Sequence, residues 1–521
     1  MKTTKRLLVL LLAVLMLASS LLVGCKKEEP PVVENPNTPS GDTPTDTYET
    51  DEWGQRIYPT GIPDSLDYGG DTIDILVRNK GGDIRQYEWF SKDFANDTLK
   101  TEIYYRNLDI VDNLGVTLNF PTRSDDEMNA FITENFSAGL GGVDIISPYQ
   151  YFGTSTEVME CYKNLLGDEL TYMNLDHPYW NQNFMKAAQA NNKLFIALGD
   201  MNLSAYMTTF SMYFNKKLLG EMCGGMTDEE LYTIVTEGDW TWDKMVELCQ
   251  NTYTDFDEIT GKSEGDKYGF TSHYNVHAYD GMLAAFDMDL TALNADGTHT
   301  FKSDRSSLEA LGAAGNMLVD FYRSQNAFLV GHGIKDYTQP VANFKQGLSM
   351  FCIAGVGDSN HLTQMTDEYG LLPLPKYSTD QENYYGGVQD SHNCVAVMYH
   401  DGQDYAQTSA VLELFASISY STVRPVLCET VLKAKNLKDT TAWQVFDLII
   451  SGARWDFTDI YPSAFGGVSA SPRNGLWRDA LRKAVYGEGQ GEGYIATAVR
   501  DNKQAITEKL AALDEWLATH D

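Results

Sequence analysis

Residues 148–152 gather the side chains that are best suited to bind a small polar ligand. They read Pro-Tyr-Gln-Tyr-Phe and directly follow a short apolar run, residues 143–147. Aromatic rings stack on flat apolar surfaces, and a carboxamide both donates and accepts hydrogen bonds. Tyr149, Gln150 and Tyr151 therefore suit a ligand with apolar faces edged by hydroxyl groups, such as a sugar ring. The alternative is that these aromatic side chains only pack the loop against its own domain.

The sequence carries none of the motifs of the common hydrolases, since it has no HExxH, no GxSxG and no cluster of Cys and His. Residues 261–263, Gly-Lys-Ser, match the end of a phosphate-binding loop, but Phe256 stands where that motif requires glycine. We therefore expect no catalytic residues. A glycoside hydrolase or lyase needs only two positioned carboxylates, and the 73 acidic residues contain many chance pairs, so an extracytoplasmic carbohydrate-active enzyme stays open.

An acidic stretch, residues 255–266, partly matches a calcium-binding loop. Its glycine, Gly261, falls one place later than in that loop, and Ile259 occupies a position that requires a ligand oxygen. An acidic turn is the favoured interpretation, and a calcium site is the alternative. We expect no metal and no cofactor.

The N-terminus has the pattern of a lipoprotein signal. Lys2, Lys5 and Arg6 precede an apolar run, residues 7–22, and Cys25 follows a small residue. This pattern predicts a signal peptide at residues 1–24 and a lipid on Cys25. The apolar run is shorter than the ~20 residues that span a bilayer, which disfavours a transmembrane anchor. We expect an extracytoplasmic protein that is lipid-anchored to the outer face of the cell membrane.

Residues 25–67 are rich in Pro, Thr, Asp and Glu and predict a disordered tether, because they carry too little apolar surface to fold. The net charge of −34 becomes −37 once the three basic residues of the signal peptide are removed. Such a charge repels phosphate backbones and anionic lipid headgroups, so we expect no nucleic-acid partner and no membrane contact beyond the lipid. It also favours a soluble monomer.

Seven cysteines include Cys25, and none of them forms a CxxC pair. That spacing is typical of neither a zinc site nor a disulfide-rich scaffold. Several cysteines, such as Cys352, lie in apolar runs and are expected to be buried thiols. One or two disulfides are the alternative in an exported protein.

From residue 72 onward, apolar runs alternate with helical patterns. The first block has predicted strands at residues 72–77, 116–120, 143–147, 193–197 and 207–214, and predicted helices at residues 98–114 and 125–136. The second block has predicted helices after Thr227 and Thr241 and at residues 303–325, 404–420, 440–450, 476–485 and 494–518, and predicted strands at residues 348–353, 369–374 and 394–399. Strands that alternate with helices pair in parallel, so each block predicts an open sheet covered by helices.

The folded part, about 450 residues, exceeds one ordinary core and suits two lobes. Open α/β sheets bind ligands at the carboxyl ends of their strands, so two facing lobes form one cleft between them. The predicted fold class is therefore an α/β, two-lobed clamshell.

Four segments carry a resemblance to a known family. In chain order they are residues 210–219 (FSMYFNKKLL), 238–244 (GDWTWDK), 344–350 (FKQGLSM) and 369–375 (YGLLPLP). Together they resemble the extracellular solute-binding proteins of carbohydrate ABC importers, the maltodextrin-binding-like group. The resemblance implies a periplasmic-binding-protein-like clamshell without chemistry of its own, which closes on a sugar or oligosaccharide and delivers it to permease subunits. Trp240 and Trp242 within it are expected to pack in the core.

The resemblance also implies three crossings between the lobes, near residues 207–214, 386–394 and 431–439. Lobe 1 is then residues 68–209 with a return segment, 391–435. Lobe 2 is residues 210–390 with the C-terminal helices, 436–521.

The resemblance places polar contacts in the loops that face the cleft. Asn79 and Lys80 follow the first predicted strand, and Asp200 precedes the first crossing. In the second lobe, His273 and Tyr274 follow a short predicted strand. A surface position is the alternative for His273.

The sequence departs from the family at residues 355–358, Gly-Val-Gly-Asp, where many relatives have an aromatic platform. Asp358 and Asp390, the latter at the second crossing, are candidate ligand contacts, and Trp455 and Trp477 are candidates to replace the platform. A core role is the alternative. The departure argues against a maltodextrin in particular. A binding protein for peptides or another polar solute is a further alternative, although 30 tyrosines and nine tryptophans favour a sugar.

Overall fold

The computed structural model describes most of the chain from Glu49 onward. The described residues are 49–51, 53, 54, 56–92, 94, 96–257, 259–274, 277–330, 338–433, 440–462, 476–487 and 493–520. The predicted signal peptide, Cys25 and the first part of the predicted tether lie outside them. Thr50–Asp521 form one compact unit, which begins ahead of the tether boundary at residue 67. Within the last part of that predicted tether, the ring of Tyr58 packs against Tyr420 at 6.1 Å.

The strands are short, and several are only two or three residues long. The described strands are β1 (Thr72–Arg78), β2 (Thr117–Asn119), β3 (Thr122–Arg123), β4 (Ile145–Ile146), β5 (Phe210–Asn215), β6 (Tyr268–His273), β7 (Thr291–Leu293), β8 (His299–Phe301), β9 (Ala327–Val330), β10 (Ser349–Gly355), β11 (Tyr369–Leu372), β12 (Gly386–Gly387), β13 (Ala396–Val397) and β14 (Ala453–Arg454).

Helices separate most of the strands. The described α-helices are α1 (Ile84–Tyr87), α2 (Thr98–Leu114), α3 (Asp125–Ser137), α4 (Thr156–Met159), α5 (Gln182–Ala188), α6 (Leu203–Met207), α7 (Lys216–Met222), α8 (Asp228–Thr236), α9 (Trp242–Leu248), α10 (His277–Ala285), α11 (Arg305–Arg323), α12 (Gln339–Lys345), α13 (Tyr405–Ile418), α14 (Thr440–Ser451), α15 (Phe457–Ile460), α16 (Leu476–Val485), α17 (Tyr494–Asp501) and α18 (Lys503–Thr519). A 3-10 helix, Val356–Leu362, follows β10, and π-helical turns at Ser419–Val423 and Val426–Lys433 follow α13.

The first sheet has the strand order β13-β4-β1-β2, with β3 also paired to β1. β1 pairs in parallel with β2, β3 and β4, so the predicted βαβαβ order is confirmed. β13 comes from much later in the chain and pairs antiparallel to β4. The first sheet therefore contains a strand from the region predicted as a return segment.

The second sheet has the order β11-β5-β10-β6-β9. β5 runs antiparallel to β10 and β11, while β6 is parallel to β10 and β9. Every residue of β5, β6 and β10 is buried, as expected for strands covered on both faces. Two separate open α/β sheets are thus built from one chain.

The helix starts follow capping chemistry. Thr227 and Glu230 form the predicted capping box at the start of α8. Trp240 and Trp242, at the start of α9, are fully buried, so the prediction that they pack in the core is confirmed. The Trp240 indole donates to the Pro373 carbonyl at 2.9 Å, and this bond fixes α9 against the loop after β11.

Three predicted elements differ in the structure. Residues 193–197 form no strand and pair only at isolated points, one of which joins Ala197 to Val395. The predicted strand at residues 207–214 starts at Phe210, because buried Glu88 accepts hydrogen bonds from Ser204 and holds the preceding residues as helix α6. The single helix predicted at residues 494–518 is divided at Asn502, whose side-chain amide donates to the Ala498 carbonyl.

Among the described residues, one helical stretch, Tyr405–Lys433, has the length and composition of a membrane span. Within its most apolar 18-residue window, 67% is the share that is buried inside the fold. Val411 and Phe415 of this stretch are fully buried in the core. Its apolar character therefore matches a core helix.

Candidate functional site

A cavity of about 570 Å³ lies at the carboxyl ends of strands from both sheets. Its walls come from the loops after β1 and β4 of the first sheet, from the 3-10 helix after β10 of the second, and from the segments around Met207 and Asp390. We call it the cleft cavity. The side chains that it offers to a ligand include Arg85, Tyr87, Tyr149, Asp358, Asp390 and Arg478.

Tyr149 is the aromatic platform of the first wall. The guanidinium of Arg78 covers one face of its ring, with 4.3 Å from the Arg78 Cζ to the ring centroid. The ring of Phe152 meets it edge-on at 5.0 Å. Arg78 therefore closes one face of the Tyr149 ring to a stacking ligand.

Arg78, the last residue of β1, is buried and has partners on three sides. It donates to both carboxylate oxygens of Asp125, at 2.7 and 3.0 Å, and to the Asn393 side-chain oxygen at 2.8 Å. Burial alone would raise the pKa of Asp125, but the bonds from Arg78 and Lys80 outweigh it and lower the pKa. The Asp125 carboxylate is therefore ionised at neutral pH, and its bonds to Arg78 fix that guanidinium beneath Tyr149.

Arg85 connects the loop after β1 to the segment that joins the two sheets. Its guanidinium donates to the Asp83 carboxylate at 2.8 Å and to the Ser391 carbonyl at 2.9 Å. It also donates to the Ser391 hydroxyl at 3.1 Å. The side chain is thus held in place before any ligand arrives.

Asp358 and Asp390 make the opposite wall acidic. The Asp358 carboxylate accepts from the Gly355 N–H at 2.8 Å, and burial raises its pKa, which that bond, His361 and Arg85 partly oppose. Asp390 lies 3.7 Å from Arg478, which also donates to both carboxylate oxygens of Asp280. Charges of both signs therefore face the cavity, and most of them already have a partner of opposite charge.

The absence of an aromatic platform at residues 355–358 has a steric cause. A Cβ on Gly357 would lie 2.5 Å from the Met207 Cε and 3.0 Å from the Met207 carbonyl. A Cβ on Gly355 would lie 2.9 Å from the same carbonyl. Helix α6 therefore occupies the space that a large side chain here would need.

Of the residues proposed from the sequence, Tyr149, Asp358 and Asp390 line the cleft cavity. Gln150 is fully buried, and its side-chain amide donates to the Asp459 carbonyl at 2.9 Å. Tyr151 lies against a smaller cavity that Asp390 also lines.

The two candidate tryptophans lie in the interior behind the cleft. Trp455 donates from its indole to the His392 ring at 3.0 Å, and Trp477 donates to the Tyr279 carbonyl at 3.2 Å. Each is about 95% buried, at 5% and 4% exposure. Their positions suit packing of the loops that carry the cavity walls.

Four other candidates lie away from the cleft cavity. Lys80 pairs with Asp125, and Asn79 is exposed beside it. His273 ends β6 in a buried position, and its ring lies 5.1 Å from that of Tyr274. None of these four side chains is among the described residues that line the cavity.

Asp200 lies in a different and larger cavity of about 760 Å³, which we call the Asp200 cavity. Its carboxylate lies 3.3 Å from the Arg424 guanidinium and accepts a hydrogen bond from the Tyr206 hydroxyl. Burial raises the pKa of Asp200, and Arg424 and Tyr206 oppose that shift. Helix α6 lies between the two cavities, since Tyr206 lines the Asp200 cavity and Met207 lines the cleft cavity.

Sequence reasoning missed Arg85, Tyr87 and Arg478. The first two lie in the same post-β1 loop region as Asn79 and Lys80, so the loop was found but not its contacting positions. Arg478 lies on α16, which was predicted with the correct bounds. Tertiary packing decides which face of that helix lines the cavity, and the sequence of the helix itself does not indicate it.

The acidic stretch at residues 255–266 brings three carboxylates together. Oxygen atoms of Asp255, Asp257 and Asp266 lie within 4.8 Å of one another. The carboxylate of Asp266 accepts from the N–H groups of Phe256 and Ser263 at 2.9 and 3.0 Å. Donors of the loop itself thus bind this carboxylate. The six described cysteines are free thiols, four of them buried.

Solved structures of sugar-binding proteins share this architecture. The sugar-binding protein MalE from the phytopathogen Xanthomonas citri matches with a TM-score of 0.54 at 13% identity, over 86% of this chain and 100% of that one. A cyclo/maltodextrin-binding protein complexed with maltotetraose matches with a TM-score of 0.52 at 13% identity, over 85% of this chain and 97% of that one. The cyclic alpha-maltosyl-1,6-maltose binding protein from Arthrobacter globiformis matches with a TM-score of 0.51 at 13% identity, over 85% and 100%.

The chain has the maltodextrin-binding-protein fold. The predicted α/β clamshell class is therefore confirmed. At this level of identity the likeness establishes the fold alone. No protein-family profile matches the chain, and no curated protein matches its sequence.

Proposed function

We propose that this protein is an extracytoplasmic solute-binding protein, lipid-anchored through Cys25, which captures a sugar or oligosaccharide and delivers it to the permease subunits of an ABC importer. The observation that carries the proposal is the cleft cavity. It combines the partly exposed ring of Tyr149 with paired carboxylates and guanidinium groups, at the strand ends of two sheets in a maltodextrin-binding-protein fold.

The chemistry of the cleft cavity suits a neutral polyhydroxylated ligand. Tyr149 offers an apolar face to a sugar ring, and Asp358 and Asp390 accept hydrogen bonds from hydroxyl groups. Arg85 and Arg478 are held by carboxylates or carbonyl groups in advance, so a ligand meets an ordered site and does not have to neutralise a free charge. A strongly anionic ligand would instead meet the two aspartates.

Binding should favour closure of the two lobes. Tyr149 and Arg85 belong to the first-sheet side of the cavity, and Asp358 belongs to the second-sheet side. A ligand that contacts both sides binds the closed form more tightly, and it shifts the equilibrium by that difference in affinity. The lobes proposed for this motion are residues 68–209 with 391–435, and residues 210–390 with 436–521.

Among the sequence candidates, we assign direct contacts to Tyr149, Asp358 and Asp390. The buried candidates Gln150, Tyr151, Trp455 and Trp477 are proposed to support the cavity walls from behind. Asn79, Lys80, His273 and Tyr274 are proposed to lie at the margins of the site. The protein is proposed to act as a monomer and to carry no catalytic group.

Calorimetric titration with neutral mono- and oligosaccharides tests the proposal. We expect at least one of them to bind, with a loss of at least tenfold in affinity for Tyr149→Ala, as for aromatic anchors in other binding sites. Tyr105→Ala is the matched control, because that side chain is 54% exposed on α2. If the Tyr149→Ala protein binds every sugar as tightly as the unaltered protein does, the assignment of the cleft cavity is contradicted.

Two further measurements separate the alternatives. Incubation of each bound sugar with the protein should give no product, and product formation that disappears on changing one carboxylate would establish the enzyme instead. Membrane fractionation should show that Cys25→Ser releases the protein from the membrane. Full retention would mean that an uncleaved apolar segment is the anchor.

A further inference from the structure

The second-sheet side of the cleft cavity is almost entirely polar. The 3-10 helix after β10 and the segment around Asp390 contribute glycine and polar side chains to it. Among the described residues that line the cavity, the apolar side chains are Ile84, Tyr87 and Tyr149 on the first-sheet side, and Met207. A sugar ring presents apolar faces as well as hydroxyl groups. Met207 is therefore the apolar surface that this cavity offers beyond its first-sheet side.

The side chain of Met207 lies along the glycine wall of the cavity. A Cβ added to Gly357 would lie 2.5 Å from the Met207 Cε and 3.0 Å from the Met207 Cβ. Both the base and the tip of the methionine side chain thus pack on Gly357. The side chain is only partly buried, so part of it stays accessible. Met207 therefore lies over the wall from which the aromatic platform is missing.

The backbone beside Met207 is fixed, whereas its side chain is flexible. The Gln389 N–H donates to the Thr208 carbonyl at 3.0 Å, and the Val356 N–H donates to the Thr209 carbonyl at 2.9 Å. These bonds hold the end of α6 against the 3-10 helix and against the segment after β12. The methionine side chain itself is unbranched and has three rotatable bonds, so its tip adapts to a neighbour more freely than an aromatic ring does.

We propose that Met207 is a specificity-determining residue of the cleft cavity: its thioether packs on an apolar face of the bound sugar and lets the site accept sugars that differ in the configuration of one hydroxyl group. The inference rests on the function proposed above. Tyr149 gives the ligand a rigid apolar surface, and Met207 gives it an adjustable one. Because the tip of Met207 can move aside for an axial hydroxyl group, epimers should bind with similar affinity.

Calorimetric titration of the full chain with pairs of epimers tests this inference. Each sugar that binds in the titration above is paired with its epimer at one carbon, as glucose with galactose or cellobiose with lactose. Met207→Leu keeps the apolar volume but replaces the flexible thioether by a branched chain, and Met207→Ala removes the apolar contact. Met226→Leu is the matched control, because Met226 is also partly exposed and is not among the described residues that line the cavity.

We expect the unaltered protein to bind both epimers of a pair with affinities within about tenfold of each other. Met207→Leu should change the ratio of the two affinities by about threefold or more, since a stiffer wall fits one configuration better. Met207→Ala should weaken the binding of both epimers about fivefold or more. Met226→Leu should change neither affinity.

Nuclear magnetic resonance of protein labelled with ¹³C in the methionine methyl groups gives a direct readout. The Met207 signal is assigned by its loss in Met207→Leu. On addition of a bound sugar we expect this signal to shift and to show cross-relaxation with the C–H protons of the sugar. A methionine that only packs the wall would show no cross-relaxation with the ligand.

The inference is overturned if the unaltered protein binds one epimer of each pair and rejects the other, if Met207→Leu alters both affinities by the same factor, or if the Met207 methyl group shows no cross-relaxation with the sugar. These results leave the proposed function intact as long as Tyr149→Ala weakens sugar binding. If no sugar binds the unaltered protein, the proposed function fails and the role of Met207 fails with it.

Discussion

The two cavities on either side of α6 are built in different ways. The cleft cavity takes most of its side chains from loops and short helices that directly follow strands, such as α1 after β1 and the 3-10 helix after β10, and its charges are tied to residues far away in the chain, such as Arg85 to Ser391. The Asp200 cavity takes most of its side chains from helix faces, including Arg424 and Lys433 in one helical stretch. A site at strand ends is positioned by the sheet, whereas a site between helices is positioned by how the helices pack.

This difference has a consequence for how each cavity should respond to change. Loops at strand ends vary without loss of the sheet, so single substitutions in the cleft cavity should alter binding more than stability. Helix faces also form part of the core, so substitutions in the Asp200 cavity should lower stability as well. The groups that the two cavities share through α6 should therefore have the largest effects.

The largest expected effect is that of Glu88→Ala. Buried Glu88 accepts from the Ser204 N–H at 2.7 Å, from the Ser204 hydroxyl at 3.2 Å, and from the Asn393 side-chain amide. Its loss leaves three buried donors without an acceptor, which should cost roughly 3–5 kcal/mol of unfolding free energy. Because Ser204 is in α6, which carries Met207 in the wall of the cleft cavity, ligand binding in that cavity should weaken as well.

Urea unfolding monitored by circular dichroism measures this cost. Glu309→Ala is the control, since Glu309 is exposed on α11 and pairs with Arg305 one turn away, a contact worth less than about 0.5 kcal/mol. Comparable costs for the two variants would show that Glu88 does not hold α6.

The cleft cavity was partly predictable from the sequence because strand ends leave a local signal. The run at residues 143–147 ends at a sheet edge, so Tyr149 could be placed there. The bounds of α2 and α16 were also predicted correctly, since their apolar spacing and caps are local. What the sequence does not reveal is the direction of each side chain, since Gln150, next to Tyr149, is directed into the interior.

The Asp200 cavity was not predictable as a separate site. Asp200 was expected in the cleft, but the five-residue helix α6 turns the chain between Asp200 and β5. That helix is held by hydrogen bonds to Glu88, which is distant in sequence, so no local sequence pattern predicts it. The pairing of Asp200 with Arg424 likewise depends on contact across more than two hundred residues.

A pH dependence of stability is the second expected effect. Burial raises the pKa of Glu88 from 4.5 to about 7, although bonds from Ser204 and Asn393 oppose the shift. Between these values the folded protein binds more protons than the unfolded chain, so its contribution to stability is full below about pH 4.5 and is lost as pH rises through 7. The loss should amount to roughly 2–3 kcal/mol. Urea unfolding at pH 5 and pH 8 measures it. Glu88→Gln should remove this part of the dependence, and an unchanged pH profile in that variant would assign the effect to another group.

The third effect separates positioning from stability on the cleft side. Arg78→Met removes the cation beneath Tyr149 and should weaken sugar binding about tenfold, or ~1.4 kcal/mol, beyond any loss of stability. In the Tyr149→Ala background the same substitution should leave affinity unchanged, because its effect on binding acts through the ring. Arg78→Lys should restore binding only in part, since lysine cannot make the bidentate pair with Asp125. A full tenfold loss in the Tyr149→Ala background would mean that Arg78 acts on the ligand by another route.

The smallest expected effect comes from one methyl group at the boundary between the cavities. In Gly357→Ala the new Cβ would meet the flexible end of Met207 at 2.5 Å and its carbonyl at 3.0 Å, so Met207 must shift within the cleft cavity. We expect a cost of about 1 kcal/mol in stability and a loss of less than tenfold in cleft affinity, because Met207 can shift without displacing the rest of α6. Gly220→Ala is the control, since its Cβ would meet its nearest neighbour at an ordinary 3.7 Å and alanine favours the helix. A loss of cleft affinity of more than tenfold in Gly357→Ala would mean instead that the whole of α6 shifts.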